Sequence, residues 1–563
     1  MTAAAVDRAD ERTPALRTPD TVMRLARMGA SFPTRISFLR TLIRRLAESG
    51  TQVRRPVWDM DIEGFGDAVY TVRLGGHDYS LVAFSCPLAD EQRSDRVIAE
   101  AWDTSYVLYD GIPDAGEIDR LRANAPRQEA GRFGPRDLVL SRANKSVRFF
   151  EHVAESLSQG RQPDRERLGD VGYLLRTTAV YGNGKFGIAD RFVLAERAGL
   201  DGPFQAEMLT VWLIREFSHD LVEHVARHRA PETFVPLSPE LRRHIGVGNS
   251  TGLGMAPFLA NHPVLLNNWV LAREAALARV RAKPRLDAEQ VQRLAALWQQ
   301  AARHLDQWSV EDRTLMVRIL RLRGEWAEAE GWIEPARLGL PFPIASLLDR
   351  SLSLSVDFQE LLAATLIEMA GAENDDLAAD MAAAREGALQ PAMRLSALRQ
   401  LIRDHYGWAL SVPFFEAAET AQFWYVSEEK LEPRLGRRAT EPGEELELPL
   451  DIARQVQRLA ADLEGEPETL SVAAFLARFP QHRHVVRRIQ TTSGAPYAEI
   501  RDNLLSERCL PIDMLRCKLA FFGASKFDPR SDRWTRITLF QGAPVAGEIA
   551  AGETDNCWLP VLP

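Results

Sequence analysis

Helical periodicity over half the chain is the strongest constraint on what this sequence can fold into. From about residue 137 to 410, apolar residues recur every three to four positions. The spacing predicts helices over 141–159, 165–180, 204–229, 237–244, 263–282, 287–305, 309–330, 356–371, 376–386 and 390–409. Several are apolar on more than one face, as in AEMLTVWLIREF. A helix apolar nearly all round belongs inside a bundle.

The period changes between residues 53 and 86. Alternating runs rich in Val, Tyr and Phe (DAVYTVRLGG, HDYSLVAFSC) predict antiparallel strands, with Gly75-Gly76 as a hairpin turn. WDTSYVLYD at 102–110 adds another. The expected fold is therefore mainly α: a large multi-helix core with a small antiparallel β-sheet in the N-terminal region, α+β overall. Expected segments are a disordered tail at 1–19, an α+β region at 20–130, the helical core at 131–411, an irregular linker at 412–448 and a C-terminal helical region at 449–563. That last region ends in a strand, TRITLFQG, and a docked apolar tail, DNCWLPVLP.

Composition removes several classes. The net charge of −9 argues against a dedicated nucleic-acid binder. No apolar run is long enough for a transmembrane helix, and MTAAAVDRADERT lacks the apolar region of a secretory signal. Four cysteines without a CxxC pair support neither a disulfide scaffold nor a zinc finger, so a reducing, cytoplasmic setting fits best. Of 69 basic residues only 6 are Lys, leaving 63 Arg. That bias reads as GC-rich bacterial coding, so surplus Arg is weak evidence of anion binding and each Lys gains interest. The Arg-rich helices expected at 21–28 and 33–48 read as docked on the body, with Arg24, Arg27, Arg35, Arg40, Arg44 and Arg45 facing solvent.

Candidate chemistry falls in four places. HIGVGNSTGLGM brackets Asn249, Ser250 and Thr251 with Gly246, Gly248, Gly252 and Gly254. As a glycine-rich loop at a helix start it would suit an anion, although it is neither a P-loop nor a dinucleotide fingerprint. YGNGKFG places Asn183 and Lys185 in a second glycine loop after an expected helix. There Lys185 would bind a carboxylate or phosphate or act as a base, with Arg176 as an anion partner, unless it merely complements a helix C-terminus. His262 is a candidate acid or base, beside a cap reading for Asn261. On one helix Glu216 and His219 form a Glu-x-x-His step, the spacing of carboxylate-bridged iron or manganese bundles, but no second step exists. Near the C-terminus, Arg516, Lys518, Lys526, Asp528, Arg530, Arg533 and Arg536 lie in a segment that reads as a helix exit, a loop and a strand, either closing over an anionic ligand or forming a plain surface loop.

Three functions follow. The favoured one is a cytoplasmic enzyme acting on a small carboxylate- or phosphate-bearing metabolite in a pocket of the helical core. Lys185 and His262 would be catalytic, with Arg176, Asn183, Gly248, Asn249, Ser250, Thr251 and Gly252 binding the substrate. The second is an iron- or manganese-dependent bundle oxidase or oxygenase through Glu216 and His219. The third is a non-catalytic helical scaffold. The composition is compatible with a homo-oligomer.

Overall fold

A computed structural model describes residues 16–89, 101–127, 132–177, 191–251, 263–381, 387–412, 422–426, 433–436, 452–501, 504–505, 510–531 and 534–563. Its centre is a sheet of nine strands. These are β1 Val53–Met60, β2 Gly66–Leu74, β3 His77–Ser85, β4 Thr104–Asp110, β5 Asp137–Lys145, β6 Tyr173–Thr177, β7 Gly246–Thr251 and, from the C-terminal region, β11 Lys526–Ser531 and β12 Trp534–Leu539. Their order is β1-β2-β3-β4-β5-β6-β7-β12-β11. A second sheet joins β8 Gln422–Val426, β9 Pro433–Gly436 and β10 Leu504–Leu505.

This corrects the expected fold class. The sheet is large and mixed, and it is not confined to the N-terminal region. Three sequence readings failed, the first two for one physical reason. DLVLSRANK, YLLRT and GVGNST are β5, β6 and β7, with SRANK and YLLRT expected in helices and GVGNST in a loop. All three are buried near the middle of the sheet. A strand covered on both faces loses its alternation and is indistinguishable from a buried helix by periodicity alone.

Neighbouring strands are antiparallel except β6 and β7, which are parallel. A parallel pair needs a crossover. Here it contains the 25-residue helix Gln205–Arg229, packed against β3 to β7. Its Phe217 meets the rings of Tyr70 and Tyr106, so this sheet face belongs to the main core. The helix's polar stripe docks the β1–β2 hairpin: Asp220 accepts from Tyr70 Oη at 2.7 Å and from Arg55 at 2.8 Å, and His224 Nε2 meets the Asp61 carbonyl at 2.7 Å.

The opposite face changes character along the sheet. At β2 to β5 it carries Val69, Val82, Val107, Tyr109 and Leu140, packed with Leu121 of the helix Ala115–Asn124. From β5 onward the same face becomes polar. Register places Arg142 and Asn144, Arg176, Arg536 and Thr538, and Asp528 and Lys526 on it. Gly248 has a packing role there: a Cβ at this position would lie 2.8 Å from the Tyr173 ring. An extra residue in β6 between Tyr173 and Arg176 shifts the register. The bulge and the missing Cβ together let Tyr173 lie on the polar face.

Two further features bear on expectation. Helices Leu395–Leu410, Ile452–Leu463, Val472–Arg478 and Arg483–Thr492 share a separate apolar core. The N-terminal helices Leu25–Ala30 and Phe38–Glu48 do dock on the body, but several arginines point inward, correcting the solvent-facing reading. Arg40 is 2% exposed, between Glu368 and Asp555, while Arg35 and Arg44 reach Asp375 and Asp555. Arg27 meets Glu360. Asp555 belongs to the apolar tail, which is docked as expected, with Trp558 Nε1 donating to the Pro33 carbonyl at 2.7 Å.

Candidate functional site

The two segments singled out for glycine and polar residues leave the sheet side by side. Thr177 at the end of β6 is paired with Asn249 of β7, so the chain beyond each departs from adjacent carboxyl ends of a parallel pair. Residues 178–190 and 252–262 lie outside the described residues, and with them Asn183, Lys185, Gly252 and His262. Residues 173–177 of the expected helix 165–180 are the strand β6, and the surroundings of Lys185 lie outside the described residues.

The described part of this sheet end is rich in polar groups. On the core face Ser141 Oγ and Thr177 Oγ1 are 2.5 Å apart, and Asn249 Nδ2 donates to the Thr177 carbonyl at 2.8 Å. Asn249 is fully buried, and its Oδ1 has no hydrogen-bond partner among the described residues. On the opposite face, Arg176 of β6 is flanked one rung nearer the carboxyl ends by Arg142 of β5 and Arg536 of β12. Arg176 and Arg536 are each 6% exposed. Burial pushes the Arg142 guanidinium below its ordinary value. Ser250 and Thr251 follow Asn249 in the backbone of β7, and Ser250 is paired with Arg536. The structure therefore groups Arg176, Asn249, Ser250 and Thr251 at one sheet end, and Gly248 contributes room for Tyr173.

Glu216 and His219 lie elsewhere, one turn apart on the buried side of the 205–229 helix. Among the described residues no three His, Cys, Asp or Glu side chains gather as metal ligands. What surrounds this pair is cationic. Arg215 is wholly buried, and its guanidinium donates to the carbonyls of Ile245, Arg242, Arg243 and Pro544. Burial pushes the Glu216 carboxyl up to about 7, with Arg215 and Arg242 opposing the shift. Burial also holds the His219 imidazolium well below its usual range.

A carboxyl raised on folding weakens the fold above its unfolded value. The cost grows as pH climbs from about 4.3 toward 7 and then levels off, at about 3–4 kcal/mol. Glu216→Gln is expected to stabilise the protein by about that much at pH 8 and by little at pH 5, read from urea midpoints. Equal effects at both pH values would contradict the buried-carboxyl account.

A third grouping was largely invisible in the sequence. At the amino ends of β6, β7 and β11, a cleft of about 450 Å³ opens toward the helical layer. Lys526 and Asp528 line it, two residues the sequence had marked for anion closure, together with Arg148, Asp170, His244, His304 and Trp308. Lys526 Nζ donates to the Gly169 and Asp170 carbonyls at the end of the helix Arg165–Val171, a favourable place for a cation. A narrow crevice lined by Tyr173, Thr538 and Arg536 adjoins the cleft, sharing Arg148, Asp170, Lys526 and Asp528 with it. Arg148, His304 and Trp308 come from distant chain segments with no local motif, so spacing alone could not unite them.

No helix among the described residues is long and apolar enough to cross a membrane. No known protein family, curated protein or solved structure matches this chain.

Proposed function

We propose that the protein is an enzyme acting on a small carboxylate- or phosphate-bearing metabolite at the carboxyl ends of β6 and β7. The observation that carries this reading is the place of Arg176, one residue before the carboxyl end of β6, beside the parallel strand end that bears Asn249, Ser250 and Thr251. Guanidinium groups recognise carboxylate and phosphate bidentately. Parallel strand pairs hold ligands outside their carboxyl ends. In this proposal Arg176 anchors the anion, while Asn249, Ser250 and Thr251 supply hydrogen bonds. The segments that follow contribute Asn183, Lys185, Gly252 and His262. Lys185 is the point charge or base, and His262 the general acid or base.

The test is a thermal-shift and calorimetric screen of phosphorylated and carboxylated metabolites against the full chain. At least one is expected to bind in the micromolar range. Lys185→Ala combined with Ser250→Ala should then weaken binding or turnover at least tenfold, and Arg176→Lys, which keeps charge but loses the fork, should weaken affinity. A bound metabolite whose affinity and turnover survive the double substitution would exclude this site.

A further inference from the structure

The cleft at the opposite, amino ends of the strands is not explained by that activity. It is a built site, because one of its groups is held ready for a ligand beside the Trp308 wall. His304 Nδ1 lies 3.0 Å from the Pro560 carbonyl, which can only accept. The proton therefore sits on Nδ1, and burial keeps the ring neutral. The lone pair of Nε2 is left to accept, and Nε2 has no partner among the described residues. The wall that orients His304 is itself strapped down: Leu562 N–H donates to Gln307 Oε1 at 2.8 Å, and Gln300 Nε2 to the Leu559 carbonyl at 2.9 Å. His244 is also neutral, pushed down to about 4 by burial, and accepts from Gln541 Nε2 at 2.8 Å.

The charges of the lining narrow the ligand. Arg148, Arg165 and Lys526 favour an anion, but Glu166, Asp170 and Asp528 share the same space. A bare anion would meet those carboxylates as like charges. A molecule carrying hydroxyls would instead donate to them while its anionic end lies by the cations. Trp308, Pro560 and Leu562 offer apolar surface for a ring. The volume is that of an ordinary small-molecule site.

We propose that this cleft is a second ligand site, taking a phosphate ester of a hydroxylated ring compound, with Arg148 and Lys526 on the phosphate, His304 Nε2 accepting from a ring hydroxyl and Trp308 packing against the ring. The same chemistry is offered by a sugar phosphate and by a nucleoside monophosphate.

Calorimetry on the full chain distinguishes the sources, using a hexose phosphate, a pentose phosphate, a nucleoside monophosphate, inorganic phosphate and the free hexose. One ester class is expected to bind at least tenfold tighter than inorganic phosphate and than the free hexose, and the preferred ester names the source. Arg148→Ala should weaken that ester at least tenfold and His304→Gln at least fivefold, with melting temperatures retained. Arg176→Lys should leave it unchanged, which separates this cleft from the site at the other strand ends. Inorganic phosphate binding as tightly as every ester, no ester binding at all, or an affinity indifferent to both Arg148→Ala and His304→Gln would overturn the proposal.

Discussion

Replacing Asp555 with Ala is expected to destabilise the protein by about 3–5 kcal/mol, the usual cost of removing one partner from a buried ion cluster. This carboxylate is 3% exposed. It lies 3.3 Å from Arg35, 3.3 Å from Arg40 and 2.5 Å from Arg44, and its backbone carbonyl accepts from Arg40 at 2.6 Å. Burial by itself would raise the Asp555 carboxyl; Arg40, Arg44 and Arg35 outweigh it and hold it below the usual carboxylate range. Glu368 and Asp375 retain part of the cluster without Asp555, so the loss should not exceed that range. Asp555→Asn, which keeps the shape and removes the charge, should recover only a fraction. Urea denaturation at pH 7 provides the measurement, and a loss under about 1 kcal/mol would show that the cluster does not hold the tail to the N-terminal helices.

Glu360→Gln should cost a similar amount, and its effect should depend on acidity. Glu360 is fully buried among three guanidinium groups: Arg17 at 2.9 Å, Arg27 at 2.5 Å and Arg273 at 2.5 Å. Burial alone would push its carboxyl up, but Arg17, Arg273 and Arg27 overcome that and hold it far below the ordinary range. A carboxyl depressed on folding contributes its full stabilisation above the unfolded value, near 4.3, and loses it as pH falls toward the folded value. Wild-type stability is therefore expected to fall steeply below about pH 4. In Glu360→Gln the loss is present already at pH 7, and the acid-side slope is shallower. Parallel stability curves for the two proteins from pH 7 to pH 3 would rule out this role for Glu360.

Much of the helical layer was legible along the chain. The expected helices at 204–229, 263–282, 287–305 and 356–371 match Gln205–Arg229, Pro263–Arg281, Ala288–Gln307 and Val356–Ala370 within a few residues. Helical period is a local property, and these segments are long enough to display it. The β2–β3 hairpin was legible through Gly75-Gly76, both of which take positive φ. By contrast β6 is five residues long and wholly buried, and β7 carries two glycines where side chains would collide with Leu539 and Tyr173. Neither shows a strand signature in sequence. The glycines that looked like a ligand loop are partly the consequence of close strand packing.

The candidate sites divide in the same way. Arg176, Asn249 and Lys526 stood out in the sequence because each sits beside glycine or in a polar run. Arg142, Arg148, His304 and Trp308 did not, because a lone Arg on a strand or His on a helix is ordinary until something faces it.

By itself the sequence determined the element types wherever periodicity was strong, the absence of a long apolar run, and two polar, glycine-rich stretches as places to look. Only the tertiary structure decided that these stretches issue from neighbouring parallel strands, that the C-terminal region completes a sheet begun at residue 53, and that Arg35, Arg40 and Arg44 face inward. The reason is range. Propensity and period act within a few residues, whereas strand order and buried charge are settled between residues as far apart as Arg40 and Asp555, 515 positions along the chain. The burial that makes such pairs strong is a property no local stretch of sequence possesses.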